Sequence, residues 1–599
     1  MRTTQAPAMK ISRLFDIPDH LQADFPHKDI LAWKNFGRWK RYDTDTYYRY
    51  VKSIGRAALK KGFRKGDTFA TLIRNNRPEW NFVDMGLMQI GMIHVPLHPG
   101  ISTGNLRYIL SKTEVKILFV HDRKTLEQYK EVIHDIPSLK IIYSFSRVRR
   151  ISHWRVLVSE SRKPEKQFAG MLDIVRKSIK PEDPATIVFT SGTTGNPKGV
   201  VLSHANLVSN ILASSGLQPL DHRHRVLSFL PLSHIYERTS NYVFQLKGTT
   251  IYYAESYLHV RDNLQEIRPH GITVVPRFLE KIEDAVIARG QKLKGIQGRI
   301  YFRAIQLHLY YRSNHRNNVF FRLKQFIFGV LVYRKIRKML GGNICFIGCG
   351  GAPLSLLTEK FFWTIGLPVF QGYGLTETSP LIALNHLPKE NVRLGTVGPA
   401  IPGVRIKLAQ DGEILAKGPG IMKHYYRDEA FTRNTFDHEG WFRTGDLGRF
   451  IDERFLKITG RKKELFKTSY GKYIVPQVIE GKFRRSPFIS NSLVFGEGQK
   501  FPGIIIQPDF TYIRNWLREQ GRYAVSERAK IILLPEVRKQ IEKEVERINR
   551  TLDEHERIRK LHLIPDLWTI ASGDLSASYK LKRHHLINRY RKLIEKTYL

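Results

Sequence analysis

Short apolar runs recur along most of the chain, each followed by a stretch long enough for a helix. Residues 68–73, 117–120, 141–143, 185–189, 226–229, 272–275 and 344–347 read as such strands. Strands alternating with helix-length segments predict parallel βαβ units, with ligands expected beyond the strands' C-terminal ends. From 403 to 456 the pattern changes to short strands and turns, as in a small β-rich subdomain. A charged, Gly-initiated joint follows at 459–464, and beyond it the pattern is compact α+β. The expected fold is therefore α/β: a large N-terminal domain (1–460) of parallel-sheet subdomains plus a small β-rich one, a hinge at 461–463, and a smaller α+β domain (464–599).

The strand at 185–189 runs into Thr190-Ser-Gly-Thr-Thr-Gly-Asn-Pro-Lys-Gly199, which holds three glycines, four hydroxyl residues and one lysine. Backbone N–H groups and hydroxyls of such a loop suit a polyphosphate, with lysine adding a point charge. It is not a Walker A loop, because Gly192 and Gly195 are too close, Pro197 precedes Lys198, and Gly199 stands where the magnesium-binding hydroxyl would be. The phosphate-binding candidates are Thr190, Ser191, Gly192, Thr193, Thr194, Gly195 and Lys198. A solvated turn would use similar residues.

Composition changes the picture in two ways. With only Cys345 and Cys349, and no His/Cys set at zinc spacing, a cytosolic protein without a disulfide framework is expected. The longest clean apolar run, 326–333, is too short to span a bilayer, and the N-terminus has no signal-like stretch. Charge is the second feature: 98 Lys+Arg against 55 Asp+Glu give +43. The segment 291–340 has twelve Lys/Arg and no Asp or Glu, interleaved with aromatics. That mixture suits an anionic membrane on the cytoplasmic face, or a solvated basic surface over ordinary core. With no nucleic-acid module visible, a nucleic-acid partner is not expected.

Further motifs follow in order. His234 in Leu230-Pro-Leu-Ser-His-Ile-Tyr-Glu-Arg238 stands after a strand, where it could orient a substrate carboxylate; loop histidines are more often surface residues or caps. Gly350, Gly351 and Ala352 follow the strand at 344–347, and glycines there let backbone approach a flat ring. Gln371-Gly-Tyr-Gly-Leu-Thr-Glu-Thr378 presents Tyr373, Thr376 and Glu377; one carboxylate beside substrate phosphates suffices for Mg²⁺. Asp446, at a Gly turn, could accept both ribose hydroxyls, and Arg461 offers a donor fork to ribose or phosphate.

Together these segments resemble the AMP-forming, adenylate-forming superfamily, and within it the long-chain acyl-CoA synthetases most closely. The His234-Ile-Tyr-Glu-Arg238 segment, Pro276-Arg-Phe-Leu-Glu-Lys281 and Arg461-Lys-Lys-Glu-Leu465 carry the closer likeness. The resemblance spans about residues 30–590. It implies ATP, Mg²⁺ and coenzyme A, with a fatty acid as substrate. It places adenine on the Gly350–Ala352 turn and against Tyr373, the α-phosphate at Thr376, the metal on Glu377 and the hinge at Lys463. It makes Lys580, in Leu575-Ser-Ala-Ser-Tyr-Lys580, the adenylation lysine, with His234, Thr376 and Glu377 beside it in catalysis. It also implies that the C-terminal domain is a mobile cap serving two half-reactions in turn.

Three departures stand out. Ser576-Ala-Ser578 replaces the usual Thr-Pro-Thr, Tyr470 stands where relatives carry glycine in Thr468-Ser-Tyr-Gly-Lys472, and the basic aromatic insertion is unusual. Because Tyr470 falls beside the expected thiol path, an acyl-AMP ligase delivering to a carrier protein is the alternative to a coenzyme A ligase. A non-catalytic lipid-binding descendant is disfavoured by Lys580, Glu377 and Asp446. The sequence leaves open the chain length and saturation of the acid, and the oligomeric state.

Overall fold

The computed structural model describes residues 11–35, 37–160, 170–190, 196–312, 318–521, 527–569, 572–575 and 581–598. The chain divides into two compact units. One comprises Met1–Lys407, Leu415–Thr444 and Phe450–Lys457; the other comprises Leu408–Ile414, Gly445–Arg449 and Ile458–Leu599.

The first unit contains two eight-stranded sheets. Across the first, the strands run Leu381–Leu384, Val369–Gly374, Phe346–Cys349, Gly271–Val274, Arg225–Ser228, Thr250–Tyr253, Leu31–Asn35 and Arg38–Tyr42. Its six central strands pair in parallel, and the two edges are antiparallel. The second sheet runs His424–Tyr425, Lys198–Ser203, Pro184–Thr190, Ile93–Leu97, Thr68–Leu72, Ile117–Val120, Ile141–Ser144 and Ser152–His153. The α/β expectation is met, and the continuous apolar runs have their usual cause: Thr68–Leu72, Ile117–Val120 and Gly271–Val274 are buried along their whole length, as parallel strands covered on both faces are. One boundary moves. The strand read at 344–347 is Phe346–Cys349, because ladder pairing begins only where Phe346 aligns with Gly271.

A buried polar cluster ties the two sheets' surroundings together. Arg238, on helix Ile235–Leu246, donates to Asp84 Oδ1 at 2.8 Å and to the Thr186 hydroxyl at 2.7 Å, and Tyr242 donates to the same aspartate. Burial alone would raise the Asp84 carboxyl, but Arg238 and His94 outweigh it and hold the group below its usual value. The guanidinium is completely buried, so its partners are what make it tolerable there.

The stretch read as β-rich holds a four-stranded sheet ordered Arg405–Leu408, Glu413–Lys417, Phe442–Ile451 and Phe455–Arg461. His424–Tyr425 is the exception, since it joins the second large sheet. The second unit has a three-stranded sheet, Ile489–Phe495, Gly503–Pro508 and Lys560–Leu563, whose Ile504 and Ile506 pack with Ile479, Ile513 and Ile541 from three helices.

Candidate active site

Four parallel strands of the first sheet stand side by side, and three of them release a predicted site segment from their C-terminal ends. Arg225–Ser228 leads into the His234 segment, Phe346–Cys349 into Gly350, Gly351 and Ala352, and Val369–Gly374 into Thr376 and Glu377. Sheet adjacency thus gathers residues far apart in sequence. Cys349 pairs with Gln371, which sets Gly350 beside Gly372: a Cβ on Gly350 would lie 3.6 Å from the Gly372 carbonyl. Gly351 has φ +84°, a conformation costly for a residue with a side chain. The register then slips between Tyr373 and Gly374, and a Cβ on Gly374 would overlap the Pro380 carbonyl. Only glycine lets the strand end turn back so closely.

Thr190 and Lys198 are paired in register on adjacent antiparallel strands, so the segment between them closes a hairpin. The next helix begins only at His204, with Ser203 as its cap. Ser191, Gly192, Thr193, Thr194 and Gly195 lie outside the described residues. The Lys198 ammonium lies against the Phe431 ring and 6.0 Å from the Tyr425 ring. It borders a cleft of about 450 Å³ shared with Asn196, Pro197 and Asp428.

Glu377 lies on the 3-10 turn Thr376–Thr378, half-buried. The Tyr425 hydroxyl donates to Glu377 Oε1 at 2.8 Å, and the Met422 N–H donates to the Glu377 carbonyl at 2.8 Å. Burial first, and the carboxylate second, push the phenol's pKa far up, so Tyr425 remains a donor. Tyr425 arrives because its short strand pairs with Lys198–Ser203, opposite Val200. Helix His204–Ser215 fixes both flanks: Asn206 donates to the Pro419 and Ile421 carbonyls at 2.8 and 3.0 Å, and Asn210, one turn on, donates to the Leu381 carbonyl at 2.8 Å. Tyr425, Asn206 and Asn210 were not found from the sequence; Ser203 with Asn206 is a capping-box spacing, but the carbonyls it serves lie more than 200 positions away. Among the described residues no group of three or more His, Cys, Asp or Glu could hold a metal. One carboxylate with an oriented oxygen fits Mg²⁺, an ion that keeps waters and takes phosphate oxygens for the rest.

His234 is exposed at the N-cap of helix Ile235–Leu246. Its neighbour His98, just beyond strand Ile93–Leu97, was also missed. Burial and then the His234 charge press His98 down to about 4, so that imidazole is neutral. Glu237 and Arg238 of the same motif are fully buried and structural. Glu237 accepts from the Ser228 hydroxyl at 2.6 Å and from Thr273, and burial pushes it up to about 7. Asn76 pins the preceding loop, donating to the Leu230 carbonyl at 2.6 Å and accepting from the Leu232 N–H at 3.2 Å.

In the second unit, Arg461 Nε donates to Asp446 Oδ1 at 2.9 Å, so the two predicted ribose contacts also brace each other. Lys462 donates to Glu413 at 2.9 Å, and Lys463 follows on the 3-10 turn Lys462–Glu464. Tyr470 is 71 % exposed at the tip of the hairpin joining Phe466–Lys467 to Tyr473–Ile474. Lys580 lies outside the described residues.

Residues 19–426 match the model of the AMP-binding enzyme family, and 464–599 that of the AMP-binding enzyme C-terminal domain. The chain is 30 % identical to the long-chain-fatty-acid–CoA ligase FadD15 of Mycobacterium bovis over 92 % of its own length and 90 % of that protein. It is 31 % identical to human long-chain-fatty-acid–CoA ligase 1, over 91 % of this chain and 80 % of the human one. The fold is similar to the adenylation domain of a Mycobacterium chelonae carboxylate reductase, with TM-score 0.74, 18 % identity and coverage of 99 % and 92 %. It is also similar to an anthranilate CoA ligase in complex with anthranoyl-AMP, with TM-score 0.71, 15 % identity and coverage of 99 % and 100 %. With strand ends that gather the expected nucleotide motifs, and a family match over residues 19–426 and again over 464–599, this chain belongs to the AMP-binding, adenylate-forming enzymes.

Proposed function

We propose that the chain activates a long-chain fatty acid with ATP to an acyl-adenylate and then transfers the acyl group to coenzyme A. The observation that carries this reading is the convergence of Gly350–Ala352, Tyr373, Thr376 and Glu377 on adjacent strand ends, with Tyr425 orienting Glu377 and Lys198 across the neighbouring pairing. In this reading adenine lies on the Gly350–Ala352 turn and against Tyr373. The loop 190–198 holds the phosphates, Asp446 and Arg461 hold ribose, and His234 faces the acid's carboxylate. Mg²⁺, when bound on Glu377, adds positive charge where the phosphates develop negative charge.

The carboxylate attacks the α-phosphorus in line, pyrophosphate leaves, and Lys580 offsets the repulsion between the two anions. Movement about Lys463 then withdraws Lys580, and the thiol displaces AMP. The acid is presented from an anionic membrane on the cytoplasmic face. Relatives named as long-chain-fatty-acid–CoA ligases support the substrate class.

Acid-dependent AMP release across C6 to C20 acids, with and without coenzyme A, tests the reading. Thioester with long acids is the expected result. Adenylate without any thioester favours delivery to a carrier protein, for which the exposed Tyr470 is the motivating departure. No acid-dependent release overturns the enzyme reading.

A further inference from the structure

Helix Val319–Phe328 continues into a single π turn, Gly329–Tyr333. One side of this element is docked. Phe321 is buried, Gln325 donates to the Thr364 carbonyl at 2.8 Å, and the Tyr333 hydroxyl donates to the Ala304 carbonyl at 2.7 Å. The other side carries Val319, Phe320, Leu323, Phe326, Val330 and Leu331, all at least half exposed, with Val319 at 78 % and Phe320 at 74 %. Steps of four, three and four link 319, 323, 326 and 330, so these side chains line one helical face. A soluble surface does not ordinarily hold so dense an apolar stripe, and Phe and Val side chains left in water on a well-anchored helix mark a contact face.

Charge selects what covers it. The surrounding segment 291–340 has twelve basic residues and no acidic one. Arg322, Lys324, Arg334 and Lys335, on this element or directly after it, are all exposed. A second copy docked through the same stripe about a two-fold axis would set these cations against their own images. An anionic lipid surface accepts both halves: apolar side chains enter the acyl boundary, and cations meet headgroups. Charge and anchoring fix the mode. The element runs on without a break through Arg334–Met339, but it carries Arg322, Lys324, Arg334, Lys335, Arg337 and Lys338, and its other side is docked on the protein, so it cannot bury itself in a hydrocarbon core. Among the described residues no helix is long and apolar enough to cross a membrane. The helix therefore lies in the plane of the interface.

We infer that the stripe on residues 319–331 is an in-plane membrane anchor that beds into a leaflet containing anionic phospholipid. It deepens the proposed function by naming the part that meets the membrane, but it stands on exposure and charge and needs no catalytic residue. Its partner is the bilayer surface itself, independent of any one headgroup.

The test uses the full chain and sedimentation with sucrose-loaded vesicles of phosphatidylcholine alone or with about 30 mol % phosphatidylserine. Binding to the anionic vesicles is expected to be tighter by tenfold or more, since each basic residue near the surface contributes roughly fivefold. The double variant Phe320→Ser/Phe326→Ser is expected to lose about tenfold or more of that binding, as is Arg322→Glu/Lys324→Glu. Both pairs are exposed, and circular dichroism should show them folded. Adenylation of octanoate, a soluble acid, should be unchanged in both.

Equal binding of wild type and Phe320→Ser/Phe326→Ser overturns the inference. So does absence of binding to anionic vesicles, or a dimer in light scattering that the double variant dissociates. A chain that sediments with vesicles but adenylates no acid leaves the anchor standing and removes the enzyme reading; the converse removes the anchor alone.

Discussion

Tyr425 and Glu377, 48 positions apart, meet through a 2.8 Å hydrogen bond from the phenol to Oε1 that orients the carboxylate. The bond exists because a two-residue strand crosses to pair with Lys198–Ser203. A carboxylate that must take a metal is normally held by such a partner, and loss of one typically costs 10- to 100-fold. Tyr425→Phe keeps the ring against Phe431 and deletes only the donor. It is expected to raise the Mg²⁺ concentration needed for half-maximal adenylation by about tenfold, read by pyrophosphate release under a magnesium titration. An unchanged magnesium dependence would show that Tyr425 serves packing alone.

Lys580→Ala separates the two half-reactions. Adenylate formation should fall by about 10² to 10³, as when a preorganised charge is removed from a developing anion. Conversion of supplied acyl-AMP to thioester should survive. Normal adenylate formation by Lys580→Ala would displace this lysine from its role.

Arg238→Met probes the buried cluster beneath the site. It strands the Asp84 carboxylate, which has no exposure, without its guanidinium. Breaking one partner out of a buried pair costs about 3–5 kcal/mol. Urea unfolding of the full chain should show a loss of that size, and a double replacement that also removes the Asp84 charge should recover part of it.

Glu359 gives a pH dependence with a definite sign. Burial pushes its carboxyl up to about 8 from an ordinary 4.5, while the Gly395 N–H donates to one oxygen at 2.7 Å. Between those values the folded chain keeps a proton that the unfolded chain releases, so stability falls as pH rises through the window. The full effect is about 3–5 kcal/mol. Glu359→Gln keeps an acceptor for Gly395 and cannot titrate. Its thermal midpoint relative to the parent should rise from pH 5 to pH 8; a difference that stays flat across that range would refute the assignment. Burial presses His94 and His204 down to about 4, so as pH falls from 6.5 toward 4 the unfolded chain takes up protons there that the folded chain refuses, and stability falls. Taking the difference between variant and parent cancels that opposing slope.

Much of the fold was legible because parallel strands buried on both faces leave unbroken apolar runs, as 117–120 does. The 344–347 strand slipped by two positions because Ile344 and Cys345 look the same as strand residues. Only Gly271, the pairing partner of Phe346, sets where the ladder starts. Family membership was legible through the type and order of the residues in these segments, and sheet adjacency then brings three of them to neighbouring strand ends. What the sequence could not convey is which polar residues are scaffold. Glu237 and Arg238 sit in the same motif as His234, yet their partners Ser228, Thr273, Asp84 and Thr186 come from separate strands and helices. Tyr425 was equally hidden, because a tyrosine in a two-residue strand has no periodicity to betray it.

The pairing of Thr190 with Lys198 has an evolutionary corollary. Side chains on a strand alternate faces at every step, so the register of Lys198 decides which face its ammonium takes. A one-residue insertion or deletion within Lys198–Ser203 would force either a bulge or a register slip, and a slip would turn the lysine away from Phe431 to the opposite side. Length variation within this strand is therefore expected to be rarer among functional descendants than substitution in it.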